Sequence, residues 1–146
     1  AKAFDEAYMC RGMDVCQKKM REIIAKDKDA SAVEQDMLTT LEVCYEFYLR
    51  GFTFRRMDIY ESEALMFKMD EEHNALIPPF VSVAGLGETA AISLAEQRKG
   101  KRFISIEEVS AACPKVSKTH IDMLKKAGAF GDLPETSQLD LFAMFG

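Results

Sequence analysis

The chain has no long apolar run, no C-x-x-C spacing and only two histidines in 146 residues. Each shortage removes a class of function. No stretch approaches the ~20 apolar residues that a bilayer span needs, so no membrane contact is expected. No secretory leader is visible, and a cytoplasmic location is the expectation. Cys10, Cys16, Cys44 and Cys113 lack paired spacing and read as reduced thiols, two of them on apolar helical faces. A zinc site using His73 or His120 is not expected. Also missing is the cluster of carboxylates that would hold two metal ions for phosphoryl chemistry. The acidic run at residues 70–74, "DEEHN", reads as a turn. No catalytic residue, metal or cofactor is therefore assigned to this stretch.

What is present is an ordinary globular composition, 48% hydrophobic and 29% charged, enough for one domain with a real core or two small modules. The net charge of −5 argues against a nucleic-acid partner only when read globally. Residues 1–84 carry 11 basic and 16 acidic side chains, residues 85–126 carry 8 and 5, and residues 127–146 carry 0 and 3. The positive charge is concentrated after residue 84, where an anionic partner would dock.

The patterning predicts a mainly α fold with a small β element. Tyr8/Met9, Met13, Cys16, Met20 and Ile23/Ile24 recur at helical spacing, and Gly12 weakens that helix without having to end it. Ser31 and Glu34 form a capping box before a second helix carrying Val33, Met37, Leu38, Leu41, Cys44, Tyr45 and Tyr48 on one side; Gly51 stops it. Residues 1–51 thus read as a helical hairpin. Residues 52–80 alternate and read as short strands with an antiparallel hairpin around 70–74, closed by Pro78 and Pro79. Residues 81–132 hold a brief turn of helix before Gly85 and then helices at 87–99, 106–112 and 118–127. The tail, 133–146, looks extended.

The stretch "FVSVAGLGETAAISLAEQRKGKR", residues 80–102, carries the chemistry. "GLGETA" fits G-x-G-x-x-G/A, the dinucleotide fingerprint, and Glu107 lies where a ribose-binding acid belongs. Against it, Pro78 and Pro79 leave a very short first strand, no further βα unit follows, and Ser105 with Glu108 reads as a helix start. The second reading is a helix-hairpin-helix, in which Gly85 and Gly87 permit positive φ and close approach of a phosphate to backbone N–H groups at a helix N-terminus. Ala84 and Leu86 would pack that turn, and Thr89 would add a hydroxyl. The third is a tight connection and nothing more. A degenerate second copy lies in "CPKVSKTHIDMLKKAGAF", where Lys115, Ser117, Lys118 and Thr119 sit at the equivalent helix start. With Arg98, Lys99, Lys101 and Arg102 they form a candidate duplex-binding surface that reads no bases.

Near the end, "QLDLF" presents Gln138, Leu139, Leu141 and Phe142 in a polar tail. These residues either fold back on the domain or anchor a partner.

Taken in order, "KDKDASAVEQDMLTTLEVCYEFYLRGFTF", "NALIPPFVSVAGLGETAA", "VSKTHIDMLKKAGAFGDLP" and "QLDLF" resemble the C-terminal region of the alpha subunit of bacterial DNA polymerase III, PolC type. The resemblance covers essentially the whole chain. It implies an N-terminal end of the polymerase fingers, a tandem helix-hairpin-helix module holding primer–template duplex, and a sliding-clamp-binding tail. It carries phosphate contact to Gly85, Leu86, Gly87 and Thr89, and clamp contact to Gln138, Leu139, Leu141 and Phe142. The catalytic palm and its magnesium would lie outside these residues, so the fragment itself is expected to be inactive. Other replisome subunits are further candidate partners. One departure is that "AMFG" continues past Phe142.

Overall fold

A computed structural model describes residues 4–136. Three α-helices come first: α1 (Glu6–Met9), α2 (Met13–Lys26) and α3 (Ala32–Leu49). The capping box is present, with Ser31 Oγ accepting from the Glu34 amide and the Glu34 carboxylate accepting from the Ser31 amide, both at 3.1 Å. α2 and α3 pack as the expected pair around Met9, Cys16, Ile23, Leu41 and Cys44. Ile24 and Val33, expected on the packed face, are exposed instead.

Gly12 breaks the first helix, contrary to the expectation that the helix runs through it. Its φ is +116°, and the Tyr48 hydroxyl accepts from its amide at 3.3 Å while donating to the Met9 carbonyl at 2.6 Å. A side chain from α3 thus satisfies the backbone groups that the break exposes, which makes the break affordable.

Three short strands follow, β1 (Thr53–Phe54), β2 (Lys68–Asp70) and β3 (Ala75–Ile77), in the order β1-β3-β2. β2 and β3 form the expected antiparallel hairpin, with Met69 opposite Leu76, and β1 adds in parallel with Thr53 opposite Ala75. The alternation over residues 55–67 does not become strand. Asp58 Oδ1 accepts from the amides of Tyr60 (2.7 Å) and Glu61 (3.1 Å), folding that segment into a turn.

A 3₁₀ turn (Phe80–Ser82) then leads into α4 (Glu88–Gln97), α5 (Ile106–Ala112) and α6 (Lys118–Lys126). They enclose a second core centred on Phe80, Leu94, Val109 and Leu124, all fully buried. The chain after α6 is held down rather than loose. The carbonyls of Pro134 and Glu135 accept from the Ile106 and Glu107 amides at 2.9 and 3.0 Å, Leu133 packs on the core, and Lys125 pairs with Glu135. The start of the tail therefore belongs to the fold. Gln138, Leu139, Leu141 and Phe142 lie outside the described residues.

Candidate nucleic-acid interface

The 3₁₀ turn, residues 83–87 and α4 form one hairpin, and α5, residues 113–117 and α6 form another. Their turns are built alike. In the first, Val83 and Leu86 are buried and the Leu86 amide donates to the Val83 carbonyl at 3.1 Å. In the second, Cys113 and Val116 are buried and the Val116 amide donates to the Cys113 carbonyl at 3.0 Å. Gly85 thus corresponds to Lys115 and Gly87 to Ser117. The degenerate copy seen in the sequence repeats the buried pair and the turn hydrogen bond, with an apolar residue plugging each turn, but not the left-handed backbone: Gly85 has φ +80° and Lys115 has no positive φ. Leu86 is that plug, its side chain inside and its amide engaged. Ala84, expected to pack the turn, is exposed, and Val83 does that work instead.

The two glycines differ. Gly85 has φ +80°, and a Cβ there would stand 3.2 Å from His120 Nε2. Gly87 has φ −73° and ψ 164°, extended backbone that any residue can adopt, and a Cβ there would meet nothing within 4 Å. The expectation of positive φ holds for Gly85 and fails for Gly87. What Gly87 leaves is open space at the N-cap of α4.

The three helix starts of this half are closed to different degrees. Ser105 caps α5, and the Pro134 and Glu135 carbonyls take its first amides. Ser117 caps α6 through the His120 amide. α4 has no side-chain cap. Its first-turn N–H groups lack intrahelical partners by geometry, so they and the positive end of the helix dipole face outward. Thr89 is exposed in that turn. Thr89, Ser93, Pro114 and Lys115 line one groove of about 280 Å³, so the first hairpin's helix borders the second hairpin's turn.

The basic residues separate into groups. Lys115 and Lys118 are exposed on the second turn and form no ion pair among the described residues, and Ser117 and Thr119 are exposed beside them. Lys99, Lys101 and Arg102 lie beyond the C-terminal end of α4, roughly 15 Å along the helix from Gly87 at 1.5 Å per residue. Lys101 reaches Gln97 at 3.4 Å, and Arg102 lies over the Tyr60 ring at 5.3 Å. Arg98 is half-buried and turned inward. Its guanidinium donates to the Ile59 carbonyl at 3.1 Å and to the Ser62 carbonyl, and lies 5.6 Å from the Phe80 ring centroid. Those partners are inside the fold, so the assignment of Arg98 to DNA contact is corrected to a structural one.

Other chemistry is accounted for. Asp70, Glu72 and His73 place ligand atoms within 4.8 Å of one another. Asp70 Oδ2 is already taken by His73 Nδ1 at 2.8 Å and Arg55 Nη1 at 3.1 Å, and His73, with Arg55 behind it, holds that carboxyl below its ordinary range. This is a stapled turn. Burial pushes the Cys16 and Cys113 thiols up and that of Cys44 to about 12, so none is poised as a nucleophile. A cleft of about 820 Å³ lies at the other end of α6; of its cations, Arg11, Arg55 and Lys125 are paired to carboxylates. His120, which touches both turns, was not singled out for this site from sequence. Its signal was the Ser117-x-x-His120 spacing at a helix start.

Known proteins agree with this geometry. The helix-hairpin-helix motif family matches residues 51–139. DNA polymerase III PolC-type of Bacillus cereus is 42% identical over 139 residues, covering 95% of this chain and 10% of that protein. The PolC-type polymerase of Caldanaerobacter subterraneus is 43% identical over 131 residues, 90% of this chain and 9% of the relative. That of Lactococcus lactis is 41% identical over 145 residues, 99% and 9%. The chain thus spans about a tenth of the length of the curated relatives it matches. With two hairpins that share a buried pair and a turn hydrogen bond, and that family covering more than half of its length, the chain belongs to the helix-hairpin-helix family and is similar to a segment of PolC-type DNA polymerase III.

Proposed function

We propose that this chain is a non-catalytic part of a replicative DNA polymerase, gripping primer–template duplex by its phosphates and tethering to the sliding clamp through its tail. The observation that carries the first part is the uncapped start of α4. Gly87 supplies no cap and leaves the approach open, so an anion from outside is the natural partner of the first-turn amides. Thr89 adds a hydroxyl, and Lys115 and Lys118 add point charges from the neighbouring turn. Contacts of this type hold a phosphate and ignore the bases. Lys99, Lys101 and Arg102 would meet only a strand running the length of α4. This reading assigns nucleotidyl transfer to none of these residues; Asp70, in the one carboxylate–histidine cluster among the described residues, is already bound by Arg55 and His73.

Fluorescence anisotropy with a labelled DNA duplex tests this. Affinity should fall steeply with salt and be equal for unrelated sequences. The double change Lys115→Ala/Lys118→Ala should lower the slope of log affinity against log salt by up to about two units, one per phosphate released. Binding that is indifferent to salt would favour the alternative, a module that docks other replisome subunits.

The clamp tether rests on the sequence of Gln138, Leu139, Leu141 and Phe142. Leu141→Ala/Phe142→Ala should leave the melting temperature nearly unchanged. It should abolish binding to immobilised clamp, since anchor residues typically cost ≥ ~2 kcal/mol each on truncation. A large drop in melting temperature with clamp binding retained would mean that these side chains fold back on the domain.

A further inference from the structure

We infer that His120, a residue of the second hairpin, donates a hydrogen bond to the phosphate held by the first, so that the two turns form one composite site. The inference rests on the duplex-binding function proposed above and adds a contact to it. His120 is the third residue of α6, counted from Lys118. Its amide donates to Ser117 Oγ at 3.2 Å, and its ring Nδ1 lies 2.9 Å from the same oxygen. The serine hydroxyl has one proton to give. With two lone pairs and one proton, Oγ accepts from the amide and shares one hydrogen bond with Nδ1; the tautomer in which Oγ donates to Nδ1 carries the ring N–H at Nε2, and the inferred contact uses that tautomer. The ring is oriented by Ser117 before any ligand arrives.

Nε2 has no hydrogen-bond partner among the described residues and stands at the first turn, 3.2 Å from where a Gly85 Cβ would be. Gly85 is exposed and precedes the uncapped start of α4 by two residues. A phosphate at that helix start has oxygens to spare once the amides are engaged. A half-buried ring already fixed by Ser117 meets one of them at little entropic cost. Gly85 then serves twice, adopting φ +80° and keeping a side chain away from Nε2.

The test compares His120→Ala and His120→Phe with Gly87→Val, using the full chain and a fluorescein-labelled DNA duplex, with melting curves to confirm folding. Both His120 variants should bind about tenfold more weakly, the loss of one hydrogen bond to a charged acceptor. Their salt slope should match that of the parent chain, because a neutral donor releases no counterion. Phe keeps the ring volume against Gly85 without the donor, so parental affinity in His120→Phe would reduce the ring to packing and overturn the inference. If Gly87→Val weakens binding while both His120 variants bind like the parent, the inference falls and the duplex grip stands. If Gly87→Val also binds like the parent, the grip itself is wrong and the inference falls with it.

Discussion

Gly87→Val should lose duplex binding by tenfold or more while the chain stays folded. The backbone at Gly87 is extended, which suits a β-branched residue, and the Cβ direction is empty for 4 Å. Replacing glycine, a favoured N-cap, by valine, a poor one, costs about 1 kcal/mol, which leaves the chain folded. The isopropyl group would instead occupy the approach to the first-turn amides of α4. Each charge-assisted hydrogen bond lost there is worth about 1.5–3 kcal/mol. Gly87→Ala should fall between, with a smaller obstruction and unchanged stability. Gly85 behaves in the opposite way. Gly85→Ala forces a Cβ into φ +80° and to within 3.2 Å of His120 Nε2, costing roughly 1–2 kcal/mol of stability before any ligand is considered. Anisotropy and thermal melts on the three variants separate the roles. If Gly87→Val bound duplex normally, the open helix start would not be a ligand site.

That division between the glycines was beyond the sequence. "GLG" announces a turn with close approach, but which glycine bends the chain and which clears space depends on ψ at Gly87 and on a ring from α6. The helix starts were legible, because Ser31, Ser105 and Ser117 each cap a helix through a local hydrogen bond that spacing alone predicts. The β2–β3 hairpin was legible for a similar reason, since Asp70 and Asn74 close a turn of three residues between them. What escaped was decided by distant partners. Gly12 breaks a helix because Tyr48, 36 residues on, satisfies the exposed backbone. Residues 133–135 read as the start of an extended tail because the α5 amides that hold Pro134 and Glu135 carry no sequence signature.

The basic cluster teaches the same lesson at the site. "RKGKR" reads as one patch, yet a helix end distributes its five residues in different directions. Of the cations singled out in the sequence, Lys115 and Lys118 are the ones that the fold brings beside the hairpin turns. In the proposed reading, the helix-hairpin-helix would grip duplex with a few point charges and a set of oriented amides rather than with a large basic face. A net charge of −5 is compatible with such a grip because the acids are concentrated before residue 85.

Arg98→Ala should destabilise the fold without altering the charge contact with DNA. The segment from Asp58 to Ser62 has no strand or helix of its own; besides its own turn hydrogen bonds, outside groups hold it in place. The Ile59 amide donates to the Ala129 carbonyl at 2.8 Å, and the Tyr60 hydroxyl accepts from the Phe103 amide at 3.1 Å. Arg98 supplies the other half of that support by donating to the Ile59 and Ser62 carbonyls. Ile59 and Ser62 are buried, so truncation leaves acceptors that water reaches poorly. Hydrogen bonds from a charged donor are worth about 1.5–3 kcal/mol, and the contact with the Phe80 ring adds about 0.5–1 kcal/mol. Because Arg98 is only half-buried and its two bonds share one nitrogen, these do not sum, and a net loss of about 3 kcal/mol is expected. For a chain of this size that is roughly 10 °C in melting temperature. Arg98→Lys should recover little, since an ammonium lacks the planar fork that reaches two carbonyls while lying against the ring. Measured well below its melting temperature, Arg98→Ala should keep the parental dependence of duplex affinity on salt. The reverse outcome, an unchanged melting temperature with a salt slope reduced by about one unit, would put this guanidinium on a phosphate and return it to the DNA-binding surface.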